Sequence, residues 1–155
     1  MSIAQRLTEL GISLPPVAAP VAAYVPAVRT GNHVWTSGQL PFVDGAMAAT
    51  GKVGLGEGLV DPQVAAGLAR VAALNALAAV AEQAGSLDRV KRVVKLVGFV
   101  ASDPSFTGQP QVVNGASELL GQIFGEAGVH ARSAVGVAVL PLDASVEIEL
   151  IVELR

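Results

Sequence analysis

Apolar positions recur at helical spacing in two stretches of the chain. Val64, Leu68, Val71, Asn75 and Ala78 share one face of a helix that starts at Asp61-Pro62. Asp61 can cap the first turn, Pro62 suits the first helical position, and Gly85 can end the helix in a left-handed conformation. A second helix is expected from about Pro110 to Phe124, with Val113, Ala116, Leu120 and Ile123 as its apolar stripe. Residues Ile3–Leu10 can form a short helix ended by Gly11, and the proline-rich stretch after it reads as extended chain.

Strand patterns fill the rest. Tyr24–Arg29 and His33–Ser37 flank the turn signal Gly31-Asn32, which predicts a hairpin that Gly38 breaks. Asp88–Ala101 is valine-rich without clean alternation and reads as a strand buried on both faces. Arg132–Leu140 and Val146–Leu154 are the last two strands, joined by a loop that starts at Pro141. The glycine-rich stretch Asp44–Leu59 lacks the lysine of a phosphate loop and reads as an ordinary loop, with a further short strand expected near Lys52. The order β-β-α-β-α-β-β predicts one α+β domain over residues 1–155, with 1–23 as an N-terminal extension. In it, two helices cover one face of a mainly antiparallel sheet.

Composition changes this picture in one respect. Only 15% of the residues are charged and 52% are hydrophobic, so a lone chain has little polar surface to offer, and association between copies is expected. The chain has no cysteine, which excludes disulfides, thiolate metal sites and cysteine nucleophiles. A net charge of −3 argues against general nucleic-acid binding, and the one basic cluster, Arg89, Lys91, Arg92 and Lys95, reads as a solvated flank. Prolines interrupt the uncharged stretch Leu10–Val28, and the alanine-rich run Val71–Ala81 is too short to span a membrane. No signal peptide is evident, so the cytoplasm is the expected compartment. His33 and His130 stand far apart, and no metal site is expected.

Two charged positions stand out as candidate chemistry. Arg132 begins a strand otherwise built of Ala, Val, Gly and Leu, apart from Ser133. Its guanidinium either holds a carboxylate through two parallel hydrogen bonds or forms a structural ion pair with Glu147, Glu149 or Glu153. Glu147 and Glu149 alternate with apolar residues, which places them on one strand face; Glu149 reads as solvated, and Glu147 lies nearer the strand start. If the last two strands form a hairpin, Arg132 and Glu147 lie about 20 Å apart at roughly 3.3 Å per residue. A site using both would then draw them from different subunits.

These residues belong to a wider pattern. Tyr24, Gly31-Asn32, Thr36-Ser37-Gly38-Gln39-Leu40-Pro41, Asn75, Gly85, Val94-Lys95, Asn114, Ala131-Arg132-Ser133, Leu140-Pro141 and Val146-Glu147-Ile148-Glu149 occur in order over most of the chain. Together they resemble the RidA/YjgF family of enamine/imine deaminases, and the lead-in Leu10–Pro15 and the run His130–Val137 resemble a longer branch of it. The resemblance implies a chorismate-mutase-like fold, a homotrimer with clefts between subunits, and cofactor-free hydrolysis of 2-imino acids or enamines to 2-keto acids and ammonia. It further implies that Arg132 clamps the substrate carboxylate and that Glu147 orients or activates water. Tyr24, Ser37, Gly38 and Asn114 would line the cleft, and the backbone of Ala134 would face the imine. Ala22-Ala23 stands where the family usually has Gly-Pro, and the spacing from Asn114 to Arg132 is one residue longer than usual. A non-catalytic trimer that binds small carboxylates, and an endoribonuclease, are the alternative functions within the same resemblance.

Overall fold

The computed structural model describes residues 1–20 and 22–155. Among the described residues, helices α1 (Ile3–Glu9), α2 (Pro62–Ala84) and α3 (Gln109–Phe124) accompany seven strands. Five of these, β1 (Ala27–Thr30), β2 (His33–Thr36), β5 (Val90–Ala101), β6 (Ala131–Val137) and β7 (Val146–Leu154), form one sheet in the order β1-β2-β7-β5-β6. Neighbouring strands are antiparallel except β5 and β6, which are parallel. Strands β3 (Phe42–Val43) and β4 (Ala46–Met47) make a separate small hairpin. This is the expected α+β arrangement, with α2 and α3 covering one sheet face.

The helix signals act as their chemistry dictates. The Asp61 side chain accepts from Gln63 N at 2.8 Å, Pro62 occupies the first turn, and Gly85 closes the helix at φ 82°. The helices and sheet meet through small residues. A Cβ on Gly115 of α3 would stand 2.7 Å from the Ala66 carbonyl carbon of α2, and closer still to its oxygen. Glycine is therefore what lets the two helix backbones touch there. Val64 departs from the expected α2 face: it is 51% exposed, whereas Leu68, Asn75 and Ala78 are buried. The alanines on the flanks of α2 are buried too, because the helix packs on both the sheet and α3. By length and mean hydropathy α2 could cross a membrane, contrary to the shorter span expected from Val71–Ala81, but 61% of that window is buried inside the fold.

The main correction concerns the last strands. β6 and β7 do not pair; β5 lies between them. The reason is the helix between β5 and β6: a strand, a crossover helix and a second strand favour parallel pairing, whereas β7 re-enters antiparallel on the other side of β5. β5 is also buried mainly on its helix side rather than on both faces. Its register slips between Val90 and Arg92 and between Val93 and Lys95, and these irregularities hide the alternation in the sequence. β1 begins at Ala27, not Tyr24, because the carbonyls of Val25 and Pro26 accept from Ser37 instead of entering the ladder. Within the expected loop Asp44–Leu59, the β3–β4 turn places Asp44 at φ 51° and Gly45 at φ 80°, and Val53 bridges Val60 and Ser102 near the anticipated short strand.

Candidate functional site

Beyond its last strand residue, Thr36, β2 leads into an irregular segment that runs along the start of β7. Gln39 N donates to Ile148 O at 2.8 Å, and Ile148 N donates to Gln39 O at 3.0 Å. The buried Asn75 of α2 donates from Nδ2 to the carbonyls of Leu40 and Phe42, at 2.9 and 3.1 Å. This clamp presses Gly38 against Glu147: a Cβ at position 38 would lie 2.7 Å from the Glu147 carboxyl carbon and nearer still to Oε1. The Ser37 hydroxyl donates to Val25 O at 2.6 Å, which ties down the segment that carries Tyr24. Tyr24 is 45% exposed and lines a small hollow with Gly38, Gln39 and Leu40. Tyr24, Ser37, Gly38 and Glu147 therefore form one group.

Glu147 alternates with the buried residues Val146 and Ile148, so its side chain lies on the sheet face away from the helices. Partial burial raises its carboxyl pKa, and the charge of Glu149 adds to the shift. A carboxyl held in this way keeps its proton more readily than a free one.

Arg132 forms the second group. It is opposite Leu96 on β5, which is itself opposite Leu150 on β7, and these leucines are buried against the helices. Arg132 thus points to the helix side, and β6 is an edge strand. Its Nη1 donates to Asn114 Oδ1 at 2.8 Å and to Ser117 Oγ at 3.2 Å, and its Nη2 donates to Pro110 O at 3.3 Å. Pro110, Asn114 and Ser117 occupy one face of α3 at positions i, i+4 and i+7. Among the described residues no carboxylate pairs with Arg132; Glu153 is engaged by Lys91 at 2.9 Å. The structural ion pair considered for Arg132 is therefore not formed within the chain. The guanidinium has five donors, and three are engaged. Nε–H and the second hydrogen of Nη2 remain, and two donors are what a carboxylate needs. Ala134 lies two residues along the same strand, opposite Gly98, and packs against the core.

The two groups do not meet in one chain. Glu147 is level with Phe99 on β5 and Arg132 with Leu96, on opposite sides of that strand. Two strand spacings across and three residues along give about 14 Å between their backbones. That is shorter than the hairpin reading suggested, but the side chains leave opposite faces of the sheet.

A family model described as "YjgF/chorismate mutase-like, putative endoribonuclease" matches residues 4–154. The chain belongs to this family. Protein TCP17 of Trypanosoma cruzi is 48% identical over 154 residues, covering 99% of this chain and 94% of its own. Among solved structures, Atu1372 of Agrobacterium tumefaciens, described as of unknown function, is 49% identical with a TM-score of 0.88, covering 99% of this chain and 92% of its own. TdcF of E. coli with bound serine is 30% identical with a TM-score of 0.61, covering 92% of this chain and 94% of its own.

Within this YjgF-family fold, Ser117 and His130 join the Arg132 group, although sequence reasoning gave neither a role. The helical spacing from Asn114 to Ser117 was the available signal. A cavity of about 650 Å³ lies away from Arg132 and Glu147, between the N-terminal segment Ser13–Ala19, the β3–β4 hairpin and α2. It is mostly apolar and adjoins the hollow beside Tyr24 through Ala18, Ala19 and Phe42.

Proposed function

We propose that the protein hydrolyses 2-imino acids and their enamine tautomers to 2-keto acids and ammonia, in clefts completed between copies of the chain in a homotrimer. The observation that carries this reading is Arg132: a braced guanidinium at a sheet edge, with two donors open and no carboxylate of its own among the described residues. The serine bound to TdcF is a small molecule with the carboxylate such a clamp requires.

The chemistry follows from the two groups. Arg132 holds the substrate carboxylate, so the imine carbon stands one bond away at a defined place. Glu147 accepts a proton from water as the oxygen bonds to the carbon of the protonated imine, and the resulting tetrahedral species carries OH and NH2. Glu147 returns that proton to nitrogen, the C–N bond breaks to release ammonia, and the hydroxyl gives its proton to the Glu147 carboxylate as C=O forms. The imine is already electrophilic, so placing reactant and water supplies most of what is needed. The reaction requires Arg132 and Glu147 on either side of one small molecule. Their opposite faces support a cleft that takes one residue from each of two copies. The sheet face away from the helices carries Trp35, which is 47% exposed, and Val135, which is 44% exposed, and covering it would suit association.

The ribonuclease named for the family has less support. In its basic cluster Lys91 is paired with Glu153, Arg89 donates to Ala84 O, and Lys95 donates to Ser133.

The test is to generate 2-iminobutyrate in situ and follow its loss with and without protein. Acceleration over free hydrolysis is expected, and Arg132→Ala should abolish it without changing the size of the assembly. No acceleration across several imino acids would overturn the proposal.

A further inference from the structure

Behind Arg132 runs a chain of hydrogen bonds whose direction can be worked out. His130 Nδ1 lies 2.6 Å from the carbonyl oxygen of Gly128, and Nε2 lies 2.9 Å from Ser117 Oγ. A carbonyl only accepts, so Nδ1 carries a hydrogen. In the neutral ring Nε2 is then an acceptor, and Ser117 must donate its hydroxyl hydrogen to it. Ser117 Oγ is left with lone pairs on its other side, where Arg132 Nη1 donates at 3.2 Å. Each link fixes the next.

We propose that Ser117 and His130 are positioning residues: together they hold Arg132 in the orientation that presents Nε–H and one Nη2 hydrogen to the ligand carboxylate. Alone, the Ser117 hydroxyl is a free rotor that can aim its hydrogen at the guanidinium. His130 removes that choice by claiming the hydrogen. Asn114 Oδ1 and Ser117 Oγ then take both hydrogens of Nη1, and Pro110 O takes one of Nη2. The carboxylate is left with the side of the fork that includes Nε. Gly128 is buried and leads out of the short 3₁₀ turn Gly125–Gly128 after α3, so the far end of the relay is anchored to the fold rather than to solvent.

This inference rests on the proposed function for the identity of the ligand, but it is read on binding and on the ring itself as well. A clamp contact made equally in ground and transition states acts on KM and leaves kcat alone. Ser117→Ala and His130→Leu should each raise KM for the imino acid, and Kd for 2-oxobutyrate, about tenfold, with kcat within about threefold of wild type. His130→Gln keeps an acceptor near the Nε2 position and should restore most of the affinity, which a merely structural role would not explain. Nitrogen NMR of the two histidines, with His33→Asn for assignment, should show neutral His130 protonated on Nδ1. Protonation on Nε2 instead, or unchanged KM and Kd in both Ser117→Ala and His130→Leu, would overturn the relay. Keto acid binding that follows the expected order, in a protein without turnover, would uphold the relay and overturn the deaminase reading. No binding and no turnover in the wild type would overturn both.

Discussion

Gly38→Ala is the sharpest perturbation of the Glu147 group. The backbone at Gly38 is not in the left-handed region, so alanine meets no backbone strain there, and the three atoms nearest the new methyl all belong to the Glu147 side chain. Its distance to the carboxyl carbon would be 2.7 Å, whereas carbon atoms in contact rest at about 3.5–4.0 Å. The carboxyl group must retreat by at least about 1 Å, and its nearer oxygen by more. Because Glu147 is a flexible side chain at the sheet surface, the cost to folding is about that of an off-rotamer torsion, ~1 kcal/mol. The cost to catalysis is larger, since a displacement of that size in a reacting group can lower the rate by about a hundredfold. We expect kcat/KM for in situ 2-iminobutyrate to fall by about that factor, near 2.7 kcal/mol of transition-state stabilisation, with little change in thermal midpoint. The decisive comparison is the same substitution in a Glu147→Ala background, measured at high enzyme concentration. There the methyl has no carboxyl to displace, and Gly38→Ala should cost almost nothing more. Full activity in the single variant, or an equal loss in both backgrounds, would refute the account of Gly38 as the seat of the Glu147 carboxyl.

Two further outcomes follow. Glu147 has a raised pKa, so the folded protein holds its proton more tightly than the unfolded chain, and stability falls as pH rises from about the ordinary value of 4.5 through the raised one. Glu147→Gln should therefore raise the thermal midpoint at pH 7.5 while leaving only trace turnover, and the gain should vanish near pH 4; a gain of equal size at both pH values would contradict the burial argument. Gly115→Ala must push α3 away from the Ala66 carbonyl of α2, at a cost of about 2 kcal/mol or more, or about 4–8 °C in thermal midpoint for a chain of this length. An unchanged midpoint would mean that the helices can part freely.

The elements were legible wherever local chemistry decides them. Asp61-Pro62 and Gly85 bound α2, and the stripe Val113, Ala116, Leu120 and Ile123 of α3 is wholly buried. What failed was pairing. Nothing local in Arg132–Leu140 says that its neighbour is β5 rather than β7; the clue was the helix between Ala101 and Ala131, a crossover that implies a parallel pair. Arg132 was visible because an unneutralised guanidinium on an apolar strand needs a partner. Its braces were harder to see, because Ser117 and His130 are unremarkable until α3 and the start of β6 lie side by side. Gly38 was recognisable by pattern alone, and its reason, the room it leaves for Glu147, depends on Asn75 holding a segment more than 30 positions away in sequence.

The opposite faces of Arg132 and Glu147 yield a test that needs no structure of the assembly. Suppose each cleft takes Arg132 from one copy and Glu147 from the next. Then Arg132→Ala copies still carry a working Glu147, and Glu147→Gln copies a working Arg132. Each variant alone keeps only trace turnover. Co-refolded in equal amounts, they assemble at random, and a cleft is intact when a Glu147→Gln copy supplies the arginine and an Arg132→Ala copy the carboxylate. In a closed head-to-tail ring this holds for about one cleft in four. About a quarter of wild-type turnover should return on mixing, and it should be absent when the two proteins are combined without unfolding. If both residues served one cleft from the same chain, every cleft would lack one of them whatever the mixture. Recovery would then be nil, and the reading of the sheet's two faces as halves of one site would be wrong.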